Sequence, residues 1–258
     1  MWKFKNDNTP AIINAKNHIA SSHSNKIDKL PKTAILFFMR GGIEYITKHY
    51  KTKKISNHFP RFLNSCPVYK IKNSDICFLH GGYGAPQAVD TIETLAALDV
   101  KNIITIGMFG SFSSSINSGD ILIPNKAFSE EGTSLHYYEN AEFFEPDAML
   151  LEKATKFMNN SYYFPIVSTD AVYRQTFFKE ELWRSKGAIG VDMETSAIYS
   201  VSKYLGLNSI SILIASDKHP LNENEKSWKW TMTEKQRKDL FKKCIDFALT
   251  LQYGIAAN

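Results

Sequence analysis

Short apolar runs of strand length alternate with amphipathic stretches of helical period along most of the chain, and glycine or proline marks many of the joins. The run Ala34-Ile35-Leu36-Phe37-Phe38-Met39 predicts a buried strand, Gly41-Gly42 a turn, and Ile43 to Tyr50 a helix. Val68 to Ile71 and Asp75 to Leu79 predict a hairpin around Lys72-Asn73-Ser74, running on into Gly81-Gly82-Tyr83-Gly84. A helix is expected from Pro86 to Leu98, with proline in the first turn, where its missing N–H does no harm. Asn102 to Ile106 reads as a strand, and Gly107-Met108-Phe109-Gly110 as a tight turn carrying core side chains. Further strands are expected at 119–124, 163–168, 189–193 and 209–215, and further helices at 146–158, 178–185, 194–205 and 235–252. The polar segment 218–233, with Trp228 and Trp230, reads as a loop or lid.

Strands alternating with helices place the chain in the α/β class, where ligands bind beyond the C-terminal ends of the strands. Residues 1–32 are rich in Asn, Lys, Ser and His and read as an N-terminal extension with one short helix; 33–258 read as a single domain. Composition adds exclusions. Of 258 residues, 43% are hydrophobic and 22% charged, which rules against disordered and fibrous classes. Lys plus Arg exceed Asp plus Glu by 31 − 26 = 5, a balance compatible with an anionic substrate. No dense basic run with interleaved aromatics points to nucleic acid. Cys66, Cys77 and Cys244 form no CxxC pair, against a disulfide framework or structural zinc. The first residues carry no apolar signal region and no run is long enough to span a membrane, so a cytoplasmic location is the expectation.

Several predicted strands end in residues with chemical potential. Asp217 follows the strand 209–215, where partial desolvation would raise its pKa and suit it to donate a proton; a turn or helix-capping aspartate is the alternative. Asp192 and Glu194 flank Met193: they share a face if the strand continues and diverge if the helix has begun, and Asp192 also suits an N-cap. The glycine clusters at 81–84 and 107–110 do not form a dinucleotide fingerprint. His136 lacks a metal-ligand partner, and neither HExxH nor GxSxG occurs. Trp228 and Trp230 are expected to cover core.

Taken together, these segments resemble the nucleoside phosphorylase-I superfamily, which holds purine nucleoside phosphorylases, uridine phosphorylases and related nucleosidases. Gly190-Val191-Asp192-Met193-Glu194-Thr195-Ser196-Ala197 resembles the family's G-V-[ED]-M-E-[AST]-x-A segment. The spacings to Ser216-Asp217 and back to Ser168-Thr169-Asp170-Ala171-Val172-Tyr173 are similar to those of the bacterial hexameric purine enzymes, and Gly119-Asp120-Ile121 and Glu131-Gly132-Thr133-Ser134 look like further landmarks. The resemblance implies a three-layer sandwich whose central mixed, mostly parallel sheet is flanked by helices. It also implies cleavage of a nucleoside's N-glycosidic bond, purine favoured. Met193 and Glu194 would hold the ribose, Glu194 through its 2′- and 3′-hydroxyls. Asp217 would act at purine N7, and Val172, Tyr173, Phe109 and Gly110 would lie around the base. Lys235 falls near an arginine that assists the acid in purine enzymes. The chemistry calls for no metal and no redox cofactor.

The phosphate site departs from the family pattern. G-D-P-x-x-R is replaced by Phe38-Met39-Arg40-Gly41-Gly42, and Thr105 and Met108 stand where the family carries an arginine and a hydroxyl. Arg61 resembles the arginine lent across a dimer interface, which implies a homodimer or homohexamer. Phosphate as co-substrate would then bind through Arg61, Arg40 and Ser111 with nearby backbone amides. The alternatives are a nucleosidase using water, although 34–39 holds no glutamate and Glu44 lies on the next helix, and a non-catalytic member of the family.

Overall fold

The computed structural model describes residues 9–21, 27–140, 142–226 and 228–253. In chain order they form α1 (Ala15–Ala20), β1 (Thr33–Phe37), α2 (Gly42–His49), β2 (Thr52–Ser56), β3 (Val68–Ile71), β4 (Ile76–His80) and α3 (Ala85–Ala97). There follow β5 (Asn102–Ser111), β6 (Ile121–Leu122), β7 (Lys126–Glu130), β8 (Phe143–Phe144), α4 (Ala148–Phe157) and β9 (Pro165–Thr169). The chain closes with α5 (Phe177–Ser185), β10 (Gly190–Asp192), α6 (Thr195–Tyr204), β11 (Asn208–Lys218) and α7 (Glu234–Tyr253).

One sheet runs β2-β3-β4-β1-β5-β10-β9-β7-β8, and β11 joins the other edge of β5 with β6 beyond it. The β1/β4, β1/β5, β5/β11, β9/β10 and β7/β9 pairings are parallel, so the long central strands share one direction. Antiparallel pairing is confined to short contacts at β2/β3, β3/β4, β5/β10, β6/β11 and β7/β8.

Alternation along the strands separates two cores, because successive side chains leave a strand on opposite faces. Ala34, Leu36, Ile103, Leu213 and Ala215 pack with α3 and α6 on one face. Ile35, Phe37, Ile104, Ile106, Ile210, Ile212 and Ile214 pack with α2, α4 and α7 on the other. Burial on both faces explains why β1 and β11 read as continuous apolar runs. The result is the expected three-layer α/β sandwich around a mixed sheet. Among the described residues no helix is long and apolar enough to cross a membrane.

Three expectations change. The stretch Gly107-Met108-Phe109-Gly110 is no turn: β5 continues through it to Ser111, held by β11 on one edge and by β10 on the other. The strand expected to stop at Ala215 runs to Lys218, with a bulge that leaves Ser216 without a partner on β5. The folded unit also begins before Thr33. Residues 1–8 and 22–26 of the expected extension lie outside the described residues, but Ile27 and Leu30 are buried in the α3/α6 core. Lys29, Lys32 and Lys101 surround the Asp99 carboxylate just below them.

The antiparallel contact that carries Phe109 toward the site depends on Gly190. A Cβ there would overlap the Phe109 ring and stand 2.8 Å from the Gly110 carbonyl oxygen. Gly190→Ala is expected to cost about 1–3 kcal/mol by overpacking. Urea unfolding would measure this, and an unchanged midpoint would show that β10 can shift freely against β5.

Candidate active site

A cavity of about 730 Å³, within the usual size range for small-molecule sites, opens where β5, β10 and β11 end. Asp217, Met193, Glu194, Val172, Tyr173, Phe109 and Gly110 all line it, although they come from four separate stretches of sequence. Phe38, Tyr83, Phe177 and Trp228 add aromatic surface.

The bulge in β11 sets the acid. Bulges re-aim side chains beside active sites, and here Ala215 pairs with Phe109 while Asp217 pairs with Gly110. Ser216 Oγ donates to the Phe109 carbonyl at 3.1 Å and also to Asp217 Oδ1. The chain then returns antiparallel: Thr231 and Met232 N–H groups donate to the Ser216 carbonyl, and Trp228 Nε1 donates to Asp217 Oδ2 at 2.5 Å. Trp228 and Trp230 are thus about half exposed, and they line the cavity instead of covering core.

His219, which sequence reasoning missed, completes the cluster. Its Nε2 lies 3.1 Å from Asp217 Oδ2 and its Nδ1 2.6 Å from Glu180 Oε1 on α5. Arg184, one turn further along α5, stands 3.8 Å from the other Glu180 oxygen. Burial opposes a charge on His219, but the two carboxylates outweigh it and lift the imidazole to about 9. Asp217 answers in the opposite sense. Burial alone would raise its pKa, yet hydrogen bonds from His219, Ser216 and Trp228 hold it below the ordinary carboxylate value. The expectation of a raised pKa at Asp217 is therefore corrected: its donors favour the carboxylate. Gly110 makes room for the pair, since a Cβ there would overlap His219 Nε2 and stand 3.0 Å from Asp217 Oδ2.

On the other side of Met193 the two acids diverge. Asp192 turns inward, where its carboxylate accepts from Ser168 Oγ at 2.5 Å and from the Thr195 amide and hydroxyl at 3.1 and 2.5 Å. It serves as the polar anchor at the head of α6. Glu194 faces the cavity and accepts from the Gly84 N–H at 2.7 Å. Gly84 makes that contact at φ +78°, a backbone conformation that suits glycine. Burial, and for Glu194 the neighbouring Asp192 charge, push both carboxyls upward.

The expected phosphate residues are not brought to this cavity. Arg61 is buried in its own chain, with Nε on the Asn64 carbonyl and NH1 on the His80 carbonyl and Thr91 Oγ1. That guanidinium bonds within its own chain, and it does not line the cavity. Arg40 is exposed beyond β1, and Ser111 Oγ turns inward to the Ile189 carbonyl. Lys235 is exposed on the first turn of α7 and does not line the cavity. Arg237, not singled out from the sequence, lies against the Gly41 turn, its buried Nε without a hydrogen-bond partner among the described residues. Among the described residues lining the cavity, none is Arg or Lys. Tyr173, expected beside the base, stands 96% exposed at the rim.

A sequence profile described as the phosphorylase superfamily matches residues 32–246. A DeoD-type purine nucleoside phosphorylase from Clostridium novyi is 27% identical over 176 residues, 66% of this chain and 72% of the relative. A guanosine phosphorylase from Halorubrum lacusprofundi is 26% identical over 154 residues, 56% of this chain and 64% of the relative. Among solved structures, a purine nucleoside phosphorylase from Toxoplasma gondii in complex with immucillin-H superposes with a TM-score of 0.74 at 20% identity. It covers 88% of this chain and 93% of its own. An AMP nucleosidase from Bacteroides thetaiotaomicron superposes with a TM-score of 0.68 at 20% identity, over 87% and 91% of the two chains. These two structures share the fold.

The raised imidazole has a thermodynamic consequence. A group whose folded pKa lies above its unfolded value of 6.5 adds stability that is complete below that value and fades as pH rises through about 9. The melting-temperature difference between wild type and His219→Gln is expected to be largest at pH 6 and to shrink by pH 9.5. A difference constant across that window would mean that His219 is not held protonated.

Proposed function

The chain belongs to the phosphorylase superfamily, and from that premise we propose that it cleaves the N-glycosidic bond of a purine nucleoside, inorganic phosphate receiving the ribosyl group. The observation that carries this reading is the meeting of Asp217 and Glu194 in one cavity, from the end of β11 and the head of α6. Asp217 serves the base: charge accumulates on a departing purine, and a proton at N7 relieves it. Glu194 serves the sugar. Burial, then the Asp192 charge, push its carboxyl upward, and two ribose hydroxyls donating to it would favour the charged form. A carboxylate gripping the diol then supports the positive charge that grows on the ribose as the bond opens. Phe109, Met193 and Val172 supply apolar wall, which strengthens both interactions by keeping water away.

Phosphate as the acceptor is supported by the relatives named as purine nucleoside phosphorylases. A second reading, hydrolysis by water, rests on one specific observation. A phosphate dianion in a partly dry site needs charge-assisted donors, and the described cavity lining holds no Arg or Lys. Phosphorolysis would call on cations beyond that lining, such as Arg184 behind Glu180.

Incubating the protein with inosine, adenosine and uridine, with and without phosphate, tests both. Free purine released only with phosphate is the expected result. Equal release without phosphate would favour the hydrolytic reading, and no release from either purine nucleoside would overturn the proposal. Asp217→Asn is expected to lower the purine rate by roughly 10²–10⁴-fold while the protein still unfolds cooperatively. An unaltered rate would remove Asp217 from the mechanism.

A further inference from the structure

We propose that His219, held by Glu180, is the positioning residue that supplies Asp217 with the proton taken up by the leaving purine; this rests on the purine-nucleoside reading above. The argument is geometric. Glu180, His219 and Asp217 form a carboxylate–imidazole–carboxylate line, with contacts of 2.6 and 3.1 Å, and all three side chains are largely shielded from water. A neutral imidazole has one N–H, so donating to both carboxylates requires the protonated ring. Asp217 is also bonded to Ser216 Oγ and Trp228 Nε1, but an alcohol and an indole do not release protons near neutrality. His219 is the only acidic donor among the three.

The frame around the ring serves the same end. The His219 N–H donates to the Ser111 carbonyl at 2.7 Å, extending the β5/β11 ladder by one residue and fixing the backbone. The missing Cβ at Gly110 leaves space for Nε2 against Asp217. The charged groups that bear on the ring are Asp217 on β11 and Glu180 on α5, with Arg184 behind Glu180. Lys218 turns away and donates to the Ser114 carbonyl.

The proton balance closes without another reactant. As the C1′–N9 bond breaks, its electron pair passes into the purine, and N7 takes a proton from Asp217. Asp217, a carboxylate at the outset, relays the His219 Nε2 proton as it does so and ends as a carboxylate again. His219 ends neutral, its Nδ1–H still on Glu180, and solvent re-protonates it after the base leaves.

A leaving group that needs no proton isolates this role. In 7-methylinosine N7 is already methylated and the base is cationic, so it can depart without general acid help. His219→Gln is expected to slow inosine cleavage by about 10²-fold and to change 7-methylinosine cleavage by less than about threefold. In wild type the inosine rate should fall as pH rises past the His219 transition. Glu180→Gln should move that limb to lower pH, and His219→Gln should remove it. Equal losses on both substrates would reduce His219 to a structural part and overturn the inference, as would an unchanged inosine rate. Independently of turnover, a nitrogen-15 NMR titration of the His219 ring should find it protonated at pH 7, and a neutral ring would also overturn it. If wild type cleaves neither nucleoside, the purine reading fails and the proton-delivery role falls with it. If wild type cleaves both but the variants do not separate them, only the His219 inference fails.

Discussion

The pairing of β5 with β11 is the constraint on which the rest of the site depends. It runs in parallel along the whole of both strands and slips once, at Ser216, so that the strand continues with Asp217 opposite Gly110. Without the slip, the face presented after Ala215 would be reversed and the carboxylate would point into the opposite layer. Without the glycine, the imidazole two residues on would have no place. The same strand, β5, turns its other edge to β10 over Gly110 and Ser111, and β10 leads directly to Glu194. One strand therefore sets both halves of the cavity.

Charge in this cavity is arranged by pairing on one side and by burial on the other. Asp217 has donors on both oxygens and stays ionised even though it is buried. Asp192 and Glu194 lie close together with no cation between them among the described residues, and desolvation dominates there. The contrast suits the two tasks proposed for them: one carboxyl exchanging a proton with a cationic neighbour, the other receiving hydroxyl donors that a sugar would bring. A different buried carboxylate, Glu131, shows a third solution. It accepts from Ser129, Ser134 and Ser196 hydroxyls and the Ser134 amide, far more like a structural peg than a reacting group.

Much of this was legible in residue patterns, and the failures have physical causes. Apolar runs at 34–39, 102–106 and 209–215 marked the central strands because burial on both faces leaves no polar alternation to confuse them. The polar strands β2 and β7 escaped notice, since Thr52–Ser56 and Lys126–Glu130 are stabilised by ladder bonds and neighbours and carry no strong hydrophobic signal. Asp217 and Glu194 were found from short segments that resemble a family. His219 had one local signal: residues two apart on a strand share a face, so a strand read through to Lys218 would have set it beside Asp217. Glu180 had none, because its approach to His219 is made by a helix 39 residues earlier. The internal bonds of Arg61 were hidden for a related reason. A guanidinium reads the same in sequence whether it projects to a neighbour or folds back on Thr91 and two carbonyls, and only packing decides.

The indole of Trp228 gives the cavity a particular character. Its N–H already occupies Asp217 Oδ2, the oxygen that His219 also addresses. On the proposed reading, a purine N7 that takes its proton through this oxygen meets a position already occupied, so the indole hydrogen bond must yield before the proton can pass. Engagement there would then be comparative: a base is measured against a tryptophan the protein carries with it, and one that cannot accept a proton at this oxygen leaves the indole in place.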